Sequence, residues 1–591
     1  MLFAKSSSRG RCCLAAAALL SLAACGQKSP NPPAPVEAST PAAVEPAKAD
    51  WAAFRDRFQE ETFAANPGFA VSQGRHEFDG RLPDWSAAGI ASEIARLDAA
   101  RSAAATFTDA QLQPEERFER DYLLATVDGR LFWLRDVETP FHNPGFYLST
   151  DGLDPSTYLT RPYAPLDVRL KAFTAYLKAV PNAVTQIRAN LRSPLPKTFV
   201  ALGLNGFGGF PAFFRKDVPP IFAEVKDEAL QAEFKAALEP AAKSLEELSA
   251  WLKSEQPKAN DDFALGAERF SKMLYATERV STPLKDLEAV GRADLQRNLD
   301  ALKTACAAYA PKASLHACMD QVNADKPKGG AVEGARAQLD SLRQFIIDKK
   351  LVTIPSDEKA LVGEAPPYQR WNFAYIDIPG PYDKGMPSTY YIAPPDPSWP
   401  KKEQLDYVPG AAVLLFTSAH EVWPGHFLQF LHSNRSPFKF GQLFVGYAFA
   451  EGWAHYTEEM MYDAGLGDHR PEYKIGQLSE ALLRNVRFLC AIGLHTQGMS
   501  VQTCETMFKE EGFQDAGNAR QQAARGTYDA AYLNYTMGKL MIVKLREDWV
   551  KTHGGREAWH AFHDQFLSYG GPPIPLVRQQ MLGADDKGSL F

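Results

Sequence analysis

The stretch TSAHEVWPGHFLQF, Thr417 to Phe430, sets a histidine beside a glutamate and places a second histidine six residues after the first. Imidazoles bind zinc, and a neighbouring carboxylate can take a proton from an activated water. That is the chemistry of His-Glu-x-x-His helices, whose histidines lie four apart on one face. Here the pair is His420 and His426. On an unbroken helix they would lie roughly 120° apart around the axis and about 9 Å apart along it, too far to share an ion. Pro424 and Gly425 fall between them. Proline removes the backbone donor that would bond the His420 carbonyl, and glycine accepts dihedrals that other residues avoid. The spacing therefore predicts a helix interrupted so that both histidines face one ion. Downstream, GYAFAEGWAHYTEEMM carries Glu451. A glutamate from an adjacent helix completes a two-histidine, one-carboxylate zinc site with a position left for water. A satisfied core histidine is the plainer alternative for His420.

These groups need elements to hold them. VPGAAVLLFTSAHEVWPGH reads as an apolar helix buried beneath a sheet, with His420 and Glu421 near its end. The strand signals precede it, at Trp371 to Ile378 and Thr389 to Ile392, as an edge along which an extended peptide could add. Elsewhere apolar residues recur at three- and four-residue steps with charges between, as in EFKAALEPAAKSLEELSAWLKSE, so the expected fold is mostly α with a small β-sheet. Residues 51–591 are long enough for two helical lobes around one cleft, the first ending near 350 and the metal-site lobe beginning near 351. GLNGFGGF, from Gly203, lacks the lysine and hydroxyl of a phosphate loop and reads as a flexible surface loop. His455 follows Glu451 by one turn, placed to support a ligand or compete with it. His560 and His563 read as a solvated or partly buried helix face.

The N-terminus places the chain in a compartment. Lys5, Arg9 and Arg11 precede a short apolar run ending Leu22-Ala23-Ala24-Cys25, the pattern of an export signal, residues 1–24, with Cys25 as the lipidated first residue of the mature chain. Gly26 after Cys25 points to the outer membrane, facing the periplasm. Residues 25–50, rich in proline and alanine, read as a tether. Losing the three leader cations moves the net charge from −7 to −10, which argues against nucleic acid and leaves the lipid on Cys25 as the membrane contact. Outside the leader and anchor stand Cys306, Cys318, Cys490 and Cys504. An exported chain with two locally spaced pairs and no Cys-x-x-Cys reads most simply as Cys306–Cys318 and Cys490–Cys504 disulfides, with four buried thiols as the alternative.

HEVWPGHFLQ, then FAEGWAHYTEE, then GTYDAAYLNYTMGKLMIVKLRED, with NPGFAVSQGRHEFDGRLPDWS near the start, resemble the bacterial DUF885 family, which shows His-Glu-x-x-x-Gly-His and Glu-Gly-Trp-Ala in that order. The likeness spans nearly the whole mature chain. It implies a zincin-like fold similar to the helical oligopeptidases, whose own motif is the shorter His-Glu-x-x-His, and a zinc-dependent peptidase acting on short peptides. The ligands it suggests are His420, His426 and Glu451, holding one zinc per chain, with Glu421 as general base. Tyr535 is the candidate donor to the oxyanion, and His495, Arg525 and Tyr528 are candidate substrate contacts. The family's later block often reads Pro-Gly-Gln, whereas this chain has Asp529-Ala530-Ala531. The competing readings are a non-catalytic peptide- or protein-binding lipoprotein and a metal-dependent amidase or esterase.

Overall fold

The computed structural model describes residues 50–149, 151–370 and 372–591. Cys25, the leader, most of the tether and Trp371 lie outside the described residues. The chain from Ala49 to Phe591 forms one compact unit, and it is mostly helical. The helices that matter for the site are α1 (Leu166–Asn190), α2 (Lys197–Lys216), α3 (Glu228–Glu255), α4 (Ala267–Glu278), α5 (Leu284–Tyr309) and α6 (Ala331–Lys349), followed after the sheet by α7 (Ala411–Glu421), α8 (His426–Ser433), α9 (Tyr447–Asp463), α10 (Pro471–Thr496), α11 (Ala516–Tyr528) and α12 (Asn534–His553). The sheet comprises β1 (Ala360–Glu364), β2 (Ala374–Asp377) and β3 (Ser388–Ile392). Strand β3 is central, paired parallel to β1 and antiparallel to β2. Ser388, Tyr390 and Ile392 are buried in alternation, the period-2 signature that made β3 visible in sequence.

Apolar side chains gather into three clusters. Helices α1, α2 and α3 close around Phe173, Phe207 and Phe214. The first helices of the described chain pack Phe58, Phe118 and Tyr122 against Phe440 and Phe444. The largest cluster runs from Phe270 through Leu302, Leu342 and Phe416 to Phe449, Phe488 and Phe566. The boundary expected near residue 350 falls inside this core: α4, α5 and α6 share it with the helices that carry the histidines.

The glycine run GLNGFGGF is helical, inside α2, not a surface loop. A Cβ on Gly203 would lie 2.8 Å from the Leu252 side chain of α3. The close packing of α2 on α3 outweighs the helix-weakening cost of glycine, about 1 kcal/mol each.

Helix α10 lies at the centre, buried at almost every position from Ile475 to His495. Its polar residues must therefore find partners within the protein: Asn485 donates to Asp294 at 2.8 Å and accepts from Asn298 at 2.7 Å. Two disulfides each tie a helix to the one that follows it, Cys306–Cys318 with Cα atoms 5.9 Å apart and Cys490–Cys504 with Cα atoms 5.7 Å apart. Among the described residues no helix is long and apolar enough to cross a membrane.

Candidate metal centre

Helix α7 is apolar on all sides, so most of it is buried, and it ends at Glu421, where Val422 leaves helical dihedrals. The chain then folds back on itself. Gly425 donates to the Ala419 carbonyl at 2.9 Å, and a Cβ there would stand 1.7 Å from the His420 carbonyl oxygen. No other residue fits without opening the turn. Trp453 of α9 fixes the turn from outside, its Nε1 donating to the Pro424 carbonyl at 2.8 Å. Helix α8 begins at His426, and the two imidazoles meet nearly perpendicular, centroids 4.8 Å apart.

Helix α9 brings Glu451 to this pair. Its Oε2 lies 3.3 Å from His420 Nε2 and 3.2 Å from His426 Nε2. All three ligand atoms lie within 4.8 Å of one another. Tetrahedral ligands 2.0–2.1 Å from a zinc ion stand about 3.4 Å apart, so the donor set and its spacing fit a small divalent cation. Helices α9 and α12 cross with backbones in contact: a Cβ on Gly452 would be 2.6 Å from Gly538 backbone, and one on Gly538 would be 2.0 Å from the Ala448 carbonyl. This crossing brings Tyr535 of α12 over the site, its ring nearly parallel to that of His420 at 6.1 Å.

The electrostatics favour charge at this point. Burial alone would raise the Glu451 carboxyl, but the two histidines beside it hold it well below the usual carboxylate range. Burial and Arg484 oppose protonation of His420, yet Glu451 and Glu458 outweigh them and raise it to about 9. Burial pushes the Glu421 carboxyl up. Glu421 is 7% exposed and faces a cavity, and among the described residues no hydrogen-bond donor holds its carboxylate.

Glu458, unremarked in the sequence reading, backs the cluster. Its Oε1 accepts from His420 Nδ1 at 2.7 Å and its Oε2 from His455 Nδ1 at 3.0 Å. That bond fixes the His420 ring and leaves Nε2 for an ion. The available signal was its position seven residues after Glu451, two turns along the same helix face. His455 therefore stands behind Glu458, and burial lowers it to about 4. His563 is fully buried, its Nδ1 donating to the Leu351 carbonyl and its Nε2 accepting from Tyr456; the other of that pair, His560, is half-buried.

A cavity of about 770 Å³ opens on the cluster, lined by His420, Glu421, Tyr535, Arg484 and Arg487, with Phe373 and Ala374 at the start of β2. His495, Arg525 and Tyr528 are not on this wall. His495 bridges backbone, donating from Nε2 to the Gly526 carbonyl at 2.8 Å and accepting from Leu265 N–H at 3.3 Å. Tyr528 packs edge-on to Phe199. Arg525 pairs with Asp529 at 2.9 Å and donates to the hydroxyls of Tyr447 and Tyr535 at 2.8 and 3.3 Å. It positions Tyr535 from behind. Arg484 and Arg487 carry no signal in the sequence, since an arginine in a helical pattern looks like a solvent face until the packing around α10 is known.

The fold and site define a mostly helical protein with a partly buried two-histidine, one-carboxylate cluster, of which His420 lines a cavity. Residues 67–581 match the model of the bacterial protein family of unknown function DUF885, and the chain belongs to that family. Two solved structures share the fold. One is a proposed lipoprotein of unknown function from Shewanella oneidensis, 24% identical with a TM-score of 0.73, covering 90% of this chain and 100% of its own. The other is a proposed lipoprotein from Colwellia psychrerythraea, 14% identical with a TM-score of 0.76, covering 90% of this chain and 98% of its own. No curated protein matches the chain.

Proposed function

We propose that this protein is a zinc-dependent peptidase of the bacterial envelope, with His420, His426 and Glu451 holding the metal. The observation that carries the reading is the convergence of both Nε2 atoms on Glu451 Oε2 at 3.2 and 3.3 Å, with a second, unpaired carboxylate beside them at the cavity. A zinc ion at such a site supplies Lewis acidity, lowering the pKa of water and polarising a peptide carbonyl. The chain's own residues do the rest. Glu421 takes the proton of the attacking water on its carboxylate and returns it to the leaving amine nitrogen. The Tyr535 hydroxyl, held by Arg525, donates to the carbonyl oxygen as charge develops there. Glu458 keeps the Nδ1 proton of His420 in place. The start of β2 on the cavity wall gives an extended peptide an edge to lie along. Leu22-Ala23-Ala24-Cys25, and the likeness to two proposed lipoproteins, support an anchor on Cys25.

One set of purifications tests this reading. Wild type should hold about one zinc per chain and cleave peptides. Glu421→Gln should keep the metal and lose hydrolysis by orders of magnitude, since it removes a proton acceptor and no ligand. His426→Ala should lose most of the metal, and Cys25→Ser should leave the membrane fraction. Zinc at wild-type level in His426→Ala would refute the shared site and favour a non-catalytic binder. Cys25→Ser that still partitions with membranes would refute the anchor.

A further inference from the structure

One buried arginine on the cavity wall has no carboxylate partner among the described residues. Arg484 is matched by Glu458 and Glu480, and Arg525 by Asp529. Arg487, one turn beyond Arg484 on α10, is only 4% exposed and lines the cavity. Its Nε donates to Gln522 Oε1 at 2.8 Å, and its guanidinium lies 4.6 Å from the centroid of the Tyr535 ring. Among the described residues no carboxylate pairs with it, and no acceptor takes its two terminal nitrogens. Burial and the neighbouring Arg525 and Arg484 all disfavour its charge. A buried, unpaired cation is costly unless a partner arrives. The partner that fits a planar fork best is a carboxylate, which takes both terminal nitrogens at once.

The position of Arg487 says which carboxylate. Tyr535 neighbours both Arg487 and His420, its ring 4.6 Å from the guanidinium and 6.1 Å from the imidazole. The guanidinium is therefore no farther from His420 than those two spacings laid end to end. An extended peptide covers about 3.4 Å per residue, so the gap holds at most about three residues.

We propose that Arg487 binds the free C-terminal carboxylate of the substrate, which, resting on the metallopeptidase reading, makes this protein a C-terminal exopeptidase that releases one amino acid or a dipeptide. The reaction is hydrolysis: the C–N bond breaks, the water oxygen joins the carbonyl carbon, and its proton goes to the leaving nitrogen. Arg487 gains and loses nothing; it holds the departing end.

The test compares short peptides with a free C-terminal carboxylate and the same peptides as C-terminal amides. Binding is measured on the Glu421→Gln protein, which does not turn them over, and kcat and KM on the wild type. The free acid should bind about ten- to a hundredfold more tightly than the amide, the worth of hydrogen bonds to a charged group. Arg487→Gln, in the same backgrounds, should erase that preference through KM and leave zinc content unchanged, and Arg487→Lys should restore part of it. Equal binding of acid and amide by the Glu421→Gln protein, or no binding of either, overturns the proposal without any need for an Arg487 variant. A preference that survives Arg487→Gln also overturns it. Hydrolysis indifferent to the C-terminal group would sink this inference while the metallopeptidase reading stands. Acid-selective binding by a protein that holds no metal would do the reverse.

Discussion

At the scale of single residues, the site depends on groups that never touch substrate. His420 presents Nε2 to the cluster because Glu458 holds Nδ1, and Glu458 is itself held by His455 and Arg484. All four are buried, so none of these bonds is diluted by water. Outer carboxylates of this kind raise the basicity of a ligating imidazole and fix its orientation, at a cost of about 10- to 100-fold in affinity when lost. Glu458→Gln keeps the shape and removes the charge. It should weaken zinc binding by about tenfold or more, read by competition with a chromophoric chelator. Unchanged affinity would show that the His420 ring is oriented without this carboxylate.

At the scale of elements, the turn between α7 and α8 converts a six-residue spacing into a shared face. Gly425→Ala would drive a methyl into the His420 carbonyl, 1.7 Å from where its Cβ must go, so the turn has to open and carry His426 away. The expected result is loss of most bound zinc and a stability cost of about 1–3 kcal/mol, seen as a lower Tm of the metal-free protein. An alanine variant with wild-type zinc and Tm would mean the turn relaxes at no cost. This turn was legible in sequence because proline and glycine act on the backbone locally, and because both histidines and Glu451 lie within one short stretch. Arg487 was not, because what makes it unusual is burial on every side of α10, a property of several helices at once. Strand β1 was missed for a similar reason: ALVGE has little pattern of its own, and it is a strand only through parallel pairing with β3. The glycine run in α2 looked like a loop because propensity is local, while the packing that overrides it comes from α3.

At the scale of the whole molecule, one buried acid joins the early helices to the site. Glu278, the last residue of α4, is 1% exposed. Its Oε1 accepts from the Ala448 amide at the start of α9 and from Asn534 at the start of α12, at 3.2 and 3.0 Å, while its Oε2 has no partner among the described residues. Burial raises its pKa to about 8, against about 4.3 in an unfolded chain. Because the folded value is the higher, the folded state keeps a proton that the unfolded chain has lost between these limits. Stability from this group is therefore complete below the unfolded value and drains away as pH rises towards about 8, by a few kcal/mol in all. Glu278→Gln should flatten that part of the Tm–pH curve and raise Tm relative to wild type at pH 8. Parallel curves for the two proteins would show that Glu278 does not hold its proton in the folded state. The same two helices meet at Gly452 and Gly538, where each glycine leaves the room the other needs. In the space of allowed sequences these two positions behave as one: a side chain at either is forbidden by backbone, so no second substitution can rescue the first. The separation between the carboxylate of Glu451 and the phenol of Tyr535 is thus written in main chain, and selection acting one residue at a time cannot retune it.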